Sequence, residues 1–227
     1  MLQYRTRIKV CGLTRIDDVK ATVRAGADAI GLVFYPKSTR YVSPEQALEL
    51  RRAVPAFVDV VALFVNATKS EVQHVIDVVQ PDILQFHGDE SPDDCAQFGR
   101  RFMRAFRVGA PGLETADQVY EACSAFSQAS AWLFDSYSAG YGGSGRSFDF
   151  ALLDTVRSHA DSCPVVLAGG LNPQTVADAM AQIKPYAVDV SSGVEAAPGI
   201  KSAERVAQFI GAVGDADSRL RVFSKAR

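Results

Sequence analysis

Short β-branched runs alternate eight times with helix-like segments along this chain, and no other feature limits its fold as strongly. Several runs are continuously apolar, which is typical of strands buried on both faces of a parallel sheet. Eight strand–helix units in 227 residues predict one α/β domain, a (β/α)8 TIM barrel over residues 1–213. The runs are Ile8–Cys11, Ala29–Phe34, Val58–Val65, Asp82–His87, Phe102–Val108, Ala131–Asp135, Pro164–Ala168 and Ala187–Ser191.

The segments between the runs carry helix-start signals. A serine or asparagine N-cap followed by proline occurs at Ser43, Ser91 and Asn172, and Thr68 begins a capping-box pattern. Residues 214–227 are charged and irregular, so we expect them to form a surface tail outside the barrel.

A doubly wound open sheet is the structural alternative. That fold would place a glycine-rich nucleotide-binding turn after the first strand. The turn from Gly12 to Ile16 has neither the dinucleotide nor the P-loop spacing, which favours the barrel.

Charge and cysteine content exclude several classes of protein. A net charge of −2 gives no electrostatic footprint for nucleic acid or an anionic membrane. No apolar stretch approaches the ~18 residues of a membrane span, and the first residues lack a signal-peptide core. The four cysteines are widely spaced, without a C-x-x-C pair, so neither a disulfide framework nor a zinc site is expected. Reduced thiols are typical of the cytoplasm, so we expect a cytoplasmic protein. We also expect a monomer, because no exposed apolar helix face stands out in the sequence.

Two residues at predicted strand ends could exchange protons with a substrate. Cys11 ends the first run and Asp135 ends the sixth. Since barrel active sites lie at the carboxyl ends of the strands, a thiol base and a carboxylic acid could face each other there. The plainer alternatives are a buried apolar cysteine and an aspartate that caps the following turn.

The last two strand-to-helix loops predict a phosphate site. Gly169 and Gly170 follow the seventh run, while Ser192 and Gly193 follow the eighth run and Asp189. Glycines let backbone N–H groups approach a ligand oxygen closely, and barrels commonly bind phosphate with these two loops.

Other polar residues near strand ends leave alternatives open. Arg40 in the second loop could grip a carboxylate with two parallel hydrogen bonds, or it could be a solvated surface arginine. His87 is a participant in the chemistry or a hydrogen-bonded histidine at a strand end. The glycine-rich loop 136–147 is either a mobile lid or an inert surface loop.

Taken together, these segments resemble the phosphoribosylanthranilate isomerases of tryptophan biosynthesis. Seven motifs occur in the family's order over nearly the whole chain. Each one is a weak signal alone, but all seven in the same order are specific to the family. They are Ile8 to Thr14, Gly31 to Phe34, Lys37 to Val42, Leu84 to Gly88, Gly142 to Gly145 with Phe148 and Asp149, Leu167 to Leu171, and Asp189 to Glu195.

The resemblance implies an Amadori rearrangement of N-(5-phosphoribosyl)anthranilate to 1-(2-carboxyphenylamino)-1-deoxyribulose 5-phosphate, with no metal or organic cofactor. In it Asp135 is the general acid, Cys11 the general base, and Arg40 the ligand of the anthranilate carboxylate. The phosphate ligands that it implies are Gly169, Gly170, Ser192 and Gly193. We expect His87 and Asp189, which lie at or near strand ends, to be supporting residues of the site.

Two departures from the family pattern and two rival functions remain. The loop 136–147 looks longer than usual, and Phe150 stands where tryptophan often follows Phe-Asp. Another phosphosugar enzyme is the first rival, although an aldolase would want a strand-end lysine and Lys9 lies mid-strand. The second rival is a phosphosugar-binding sensor, which would not need both Cys11 and Asp135.

Overall fold

The structure is a computed structural model that describes residues 5–137 and 148–225. Eight parallel strands form a closed barrel with alternating helices, which confirms the predicted TIM barrel. The barrel strands are β1 (Arg7–Cys11), β2 (Ala29–Val33), β3 (Asp59–Phe64), β4 (Ile83–Phe86), β5 (Phe102–Val108), β6 (Ala131–Ser136), β7 (Val165–Leu167) and β8 (Ala187–Val190). The helices are α1 (Ile16–Ala25), α2 (Pro44–Arg52), α3 (Lys69–Val79), α4 (Pro92–Ala96), α5 (Ala116–Ser124), α6 (Asp154–Ser158), α7 (Val176–Ile183) and α8 (Ala203–Lys225).

Strand register fixes which side chains meet at the mouth of the barrel. Cys11 of β1 lies beside Gly31 of β2, and Lys9 lies beside Asp189 of β8. Because residues two apart share a strand face, Lys9 and Cys11 both point into the barrel.

Two apolar layers hold this arrangement in place. Inside the barrel, below the mouth, the strands pack Val61, Met103, Ala105, Leu133 and Val166 against one another. The larger layer lies between the strands and the helices, and it contains residues such as Val10, Ile30, Leu84, Trp132 and Phe134. The strands are therefore buried on both faces, as their continuous apolar runs predicted.

Three of the predicted helix starts are confirmed and one is displaced. Ser43, Thr68 and Ser91 each form a capping box at the start of a helix. Regular helix α7 begins at Val176, although the Asn172 side chain accepts hydrogen bonds from the backbone N–H groups of residues 174 and 175, as an N-cap does. The Asn172 carbonyl also accepts from the backbone N–H groups of Thr175 and Val176, so residues 173–175 form the turn that leads into the helix.

The prediction of a surface tail from residue 214 onward is wrong. Helix α8 continues through residue 214 to Lys225, and Ala216 and Asp217 are buried. The Asp217 carboxylate accepts hydrogen bonds from the backbone N–H (2.8 Å) and hydroxyl (2.7 Å) of Thr6, which precedes β1. The barrel domain therefore extends beyond residue 213, because its first strand needs this partner.

A small antiparallel sheet between β8 and α8 was not predicted. It consists of β9 (Glu195–Ala197) and β10 (Ile200–Lys201), with Lys201 paired to Glu195. It lies at the barrel mouth and contributes side chains to the site described next. Among the described residues, no helix has the length and apolarity to cross a membrane.

Candidate active site

A cavity of about 740 Å³, counting space open to solvent, lies at the carboxyl ends of the barrel strands. Its walls come from seven of the eight strands or the loops after them, which matches the usual location of barrel active sites. The predicted residues that line it are Cys11, Arg40, His87, Asp135, Gly169, Gly170, Asp189 and Ser192.

Gly193 is the one predicted site residue that does not line the cavity wall. A side chain at this position would collide with the backbone carbonyl of Leu171 and would press on Asn172. Gly193 therefore lets the loops after β7 and β8 approach each other closely, which sets the shape of the predicted phosphate site.

Asp135 is held at the end of β6 with one oxygen fixed and one oxygen facing a histidine. Its Oδ1 accepts a hydrogen bond from the Ser136 backbone N–H at 2.8 Å, and its Oδ2 lies 3.6 Å from His87 Nε2. Burial raises the pKa of Asp135 to about 6, with a further contribution from the charge of Asp189 and opposition from the Ser136 hydrogen bond. A carboxyl group with this pKa can donate a proton near neutral pH.

His87 is neutral beside this acid. Burial, together with the positive charge of Arg104, lowers the pKa of His87 to about 3. Although the His87–Asp135 distance falls within ion-pair range, the two groups do not form an ion pair near neutral pH. A neutral imidazole adds no positive charge beside the carboxyl group, so His87 does not oppose the raised pKa of Asp135.

Cys11 is buried at the end of β1, and Gly31 makes room for its sulfur. A side-chain carbon at Gly31 would lie 2.7 Å from Cys11 Sγ. Burial raises the pKa of the Cys11 thiol, Lys9 and Lys201 oppose that shift, and Asp189 adds to it. The resting group is therefore a thiol rather than a thiolate at neutral pH.

Lys9 and Asp189 form a buried ion pair beneath Cys11, with Nζ 2.9 Å from Oδ1. Burial opposes the charge on Lys9, but Asp189 raises its pKa above the ordinary value. Lys9 is therefore a cation, and a charged amine cannot form the Schiff base that an aldolase needs. The sequence did not identify Lys9 as a site residue, although the two-residue spacing from Cys11 was a usable signal.

The loops after β7 and β8 have the backbone that close ligand approach requires. Gly169 and Gly170 both adopt positive φ angles, +79° and +67°. A side-chain carbon at Gly169 would come within 2.7 Å of the Ser136 backbone nitrogen, next to the acid. Ser192 opens a short 3₁₀ turn, whereas the Ser191 hydroxyl is already bonded to the Cys11 carbonyl at 3.0 Å.

Arg40 reaches the cavity from the loop after β2, but part of its guanidinium is already bonded. Its Nε and Nη2 donate to Oε1 and Oε2 of Glu195, both at 2.7 Å. Lys201 Nζ donates to the same carboxylate at 2.8 Å. Glu195 and Lys201 were not predicted as site residues, since only the fold brings them beside the second loop.

Most of the glycine-rich loop 136–147 lies outside the described residues, which resume at residue 148. The lid prediction therefore rests on the sequence. Phe150, which departs from the family pattern, begins a 3₁₀ turn, and its ring meets that of Phe148 edge-on at 5.4 Å.

Comparisons with known proteins agree with one another. The family described as N-(5'phosphoribosyl)anthranilate (PRA) isomerase matches residues 8–212. A protein of Bordetella pertussis named N-(5'-phosphoribosyl)anthranilate isomerase is 60% identical over 217 residues, which are 96% of this chain and 100% of that protein. A Nitrosococcus oceani protein of the same name is 48% identical, covering 91% of this chain and 96% of the relative.

Solved structures give the same result. The phosphoribosyl anthranilate isomerase of Thermotoga maritima superposes with a TM-score of 0.83 and 37% identity, over 92% of this chain and 99% of that one. A phosphoribosyl anthranilate isomerase solved in complex with reduced 1-(o-carboxyphenylamino)-1-deoxyribulose 5-phosphate has a TM-score of 0.80 and 34% identity, over 92% and 99%. This chain belongs to the N-(5'-phosphoribosyl)anthranilate isomerase family.

Proposed function

We propose that Asp135 and Cys11 carry out the two proton transfers of the reaction that defines this family. The chain is an aldose–ketose isomerase of tryptophan biosynthesis. It converts N-(5-phosphoribosyl)anthranilate into 1-(2-carboxyphenylamino)-1-deoxyribulose 5-phosphate by moving hydrogen within one substrate. Such a reaction needs a group that donates a proton and a group that accepts one, in a single site.

The first transfer opens the sugar ring. Asp135 donates its proton to the ribose ring oxygen, the bond between that oxygen and C1 breaks, and the anilino nitrogen supplies the electron pair. The product is an open-chain iminium ion. With a pKa of about 6, Asp135 is protonated in about a tenth of the molecules at pH 7, far more than an ordinary aspartic acid.

The second transfer removes the proton from C2. Cys11 is a thiol at rest, so it first releases its own proton to solvent in the open cavity, and the thiolate then accepts the proton from C2. The resulting enolamine tautomerises to the ketone as a proton moves from its C2 hydroxyl to C1. The iminium charge formed in the first step favours the thiolate, because an adjacent positive charge lowers the pKa of a thiol. The cations Lys9 and Lys201 act in the same direction. The base therefore becomes available after the acid has acted.

Two anionic groups of the substrate orient it between acid and base. We assign the phosphate to Gly169, Gly170, Ser192 and Gly193, whose loops supply backbone N–H groups and a hydroxyl. The anthranilate carboxylate is assigned to Arg40, in the loop after β2. Holding both ends keeps the reacting carbons between Asp135 and Cys11, which favours both transfers.

The placement of Cys11 and Asp135 on the wall of one cavity carries this assignment. It is tested with substrate deuterated at C2 in single-turnover experiments. We expect wild type to react more slowly with the deuterated substrate, and Cys11→Ser to lose turnover by about 10³-fold or more while still binding substrate. Unchanged turnover of Cys11→Ser would exclude Cys11 as the base.

The cellular location and the oligomeric state are also proposals. We infer a cytoplasmic monomer, supported by four free cysteines and by the absence of an extended apolar face in the sequence pattern. One structural neighbour consists of monomers of a dimeric phosphoribosylanthranilate isomerase from Thermotoga maritima, so a dimer is the alternative assembly for this chain. Light scattering of the purified chain decides this: a mass near 24.4 kDa is expected, and twice that value would overturn it.

A further inference from the structure

We propose that Glu195 is a positioning residue that holds one edge of the Arg40 guanidinium, so that the other edge is presented to the substrate carboxylate. This inference rests on the proposed role of Arg40 as the carboxylate ligand. It assigns to the β9–β10 sheet a function in substrate recognition.

The guanidinium offers two edges, and Glu195 occupies only one. Its carboxylate accepts from Nε and Nη2, both at 2.7 Å, which is a bidentate side-on pair. Among the described residues, Nη1 of Arg40 has no hydrogen-bond partner, and the residue lines the cavity. The Nη1 edge is therefore available for a second planar carboxylate, which would bind end-on through Nη1 and the second proton of Nη2.

Glu195 is itself held from the opposite side. Lys201 Nζ lies 2.8 Å from Glu195 Oε1, and it also donates to the Ser191 carbonyl at 3.1 Å. The side chains of Glu195 and Lys201 are only 6% and 1% exposed. Because Lys201 pairs with Glu195 across the β9–β10 sheet, backbone register sets this geometry. The carboxylate cannot rotate away from Arg40 without leaving a buried lysine unpaired.

The stem of Arg40 is confined as well. A side chain at Gly12 would collide with the Arg40 side chain at Cδ, and Gly12 has a φ of +76° that favours glycine. Arg40 therefore lies across the backbone at Gly12, in the turn directly after Cys11. Glu195 holds the guanidinium of Arg40, and the backbone at Gly12 confines its aliphatic part. The side chain is therefore preorganised before the substrate binds.

The cluster of Arg40, Glu195 and Lys201 has a net positive charge, which favours binding of an anionic ligand. Arg40 and Lys201 contribute two positive charges and Glu195 one negative charge, which leaves one positive charge facing the cavity. Without Glu195, two partly buried cations would repel each other, and Arg40 would move toward solvent. A substrate carboxylate supplies the missing negative charge while Glu195 stays in place.

Steady-state kinetics of Arg40→Ala, Glu195→Gln and the double variant test this inference. We expect Arg40→Ala to raise KM by about 10- to 100-fold, as loss of a charged hydrogen-bonding group implies. Glu195→Gln should raise KM by about tenfold and change kcat by less than about threefold. If Glu195 acts through Arg40, the double variant will have no higher KM than Arg40→Ala alone. Glu49→Gln, which disrupts an exposed ion pair with Arg52 on α2, is the matched control.

The KM values of these variants distinguish the proposed role of Arg40 from the proposed role of Glu195. An unchanged KM in Arg40→Ala would remove the proposed carboxylate role of Arg40, and with it this inference. A raised KM in Arg40→Ala but a wild-type KM in Glu195→Gln would overturn only the role of Glu195. Additive losses in the double variant would indicate a structural role and would also overturn it. If Glu195→Gln does not fold, Glu195→Asp keeps the charge but retracts the carboxylate, and the same KM pattern is expected of it.

Discussion

The Oδ2 atom of Asp135 lies 3.6 Å from Nε2 of His87, at a contact where neither group carries a full charge near pH 6. Burial disfavours both charged forms, and the positive charge of Arg104 keeps His87 neutral. The desolvation that raises the pKa of Asp135 also changes the stability of the folded protein with pH, and that change can be measured.

Asp135→Asn is expected to stabilise the protein at neutral pH while it abolishes activity. The folded-state pKa of about 6 lies above the ordinary 3.8, so folding is favoured by the protonated carboxyl group. The stability contributed by this group is fully present below pH 3.8 and is lost as pH rises through about 6. The asparagine variant avoids that loss, so we expect it to be about 2–3 kcal/mol more stable at pH 8.

Urea denaturation at pH 5 and pH 8 measures this difference. The gain of the asparagine variant over wild type should be larger at pH 8 than at pH 5. Asp154→Asn on the exposed start of α6 is the control, with no comparable gain. Equal stability of wild type and Asp135→Asn at both pH values would mean that the pKa of Asp135 is not raised.

Gly31→Ala is expected to displace the Cys11 sulfur, because the added carbon would lie 2.7 Å from Sγ. We expect kcat to fall by about 10²-fold and stability by about 1–3 kcal/mol. Gly211→Ala on α8 is the matched control, since its added carbon meets no atom within 4 Å. That variant should keep full activity and gain about 0.5–1 kcal/mol. Normal turnover by Gly31→Ala would show that the sulfur position is not critical.

Lys9→Met should leave Asp189 as an unpaired buried charge, at a cost of about 3–5 kcal/mol. The double variant Lys9→Met/Asp189→Leu removes both charges and should regain most of the lost stability. It should not regain activity, because the cation that favours the Cys11 thiolate is absent. Thermal melts measure the stability and loss of anthranilate fluorescence during turnover measures the activity, and full activity in the double variant would contradict this role of Lys9.

Asp217→Ala should destabilise the protein by about 1–3 kcal/mol, because it leaves the Thr6 backbone N–H and hydroxyl without their partner. Truncation after Val213 should cost at least as much, since it also removes the buried Ala216. Removal of residues 226–227 alone is the control. Wild-type stability of the 213-residue chain would restore the surface-tail interpretation of residues 214–227.

The fold could be predicted because each barrel strand carries its own local signal. A run such as Val58–Val65 is apolar, short and bounded by turn residues, and β3 occupies Asp59–Phe64 within it. The end of α8 could not be predicted in this way. Gly214 and the charged residues after it look irregular, and only the packed fold shows Asp217 beside Thr6.

The positions of the proposed acid and base were predictable, because each lies at or next to the end of a strand. Cys11 and Asp135 fall at the ends of β1 and β6, and alternation along the chain places both at the mouth. The Arg40–Glu195 pair was not predictable, because the partners lie 155 residues apart and meet through the small β9–β10 sheet. Pairwise partners of this kind leave no local pattern in a single sequence.

The most direct test follows anthranilate fluorescence after freshly generated N-(5-phosphoribosyl)anthranilate is mixed with excess enzyme. Wild type, Asp135→Asn and Cys11→Ser are compared in single turnovers, after circular dichroism has shown that each variant is folded. We predict rapid loss of the signal with wild type and no loss above the spontaneous rate with either variant. Loss at the wild-type rate by a folded Asp135→Asn or Cys11→Ser enzyme would contradict the assignment of acid and base.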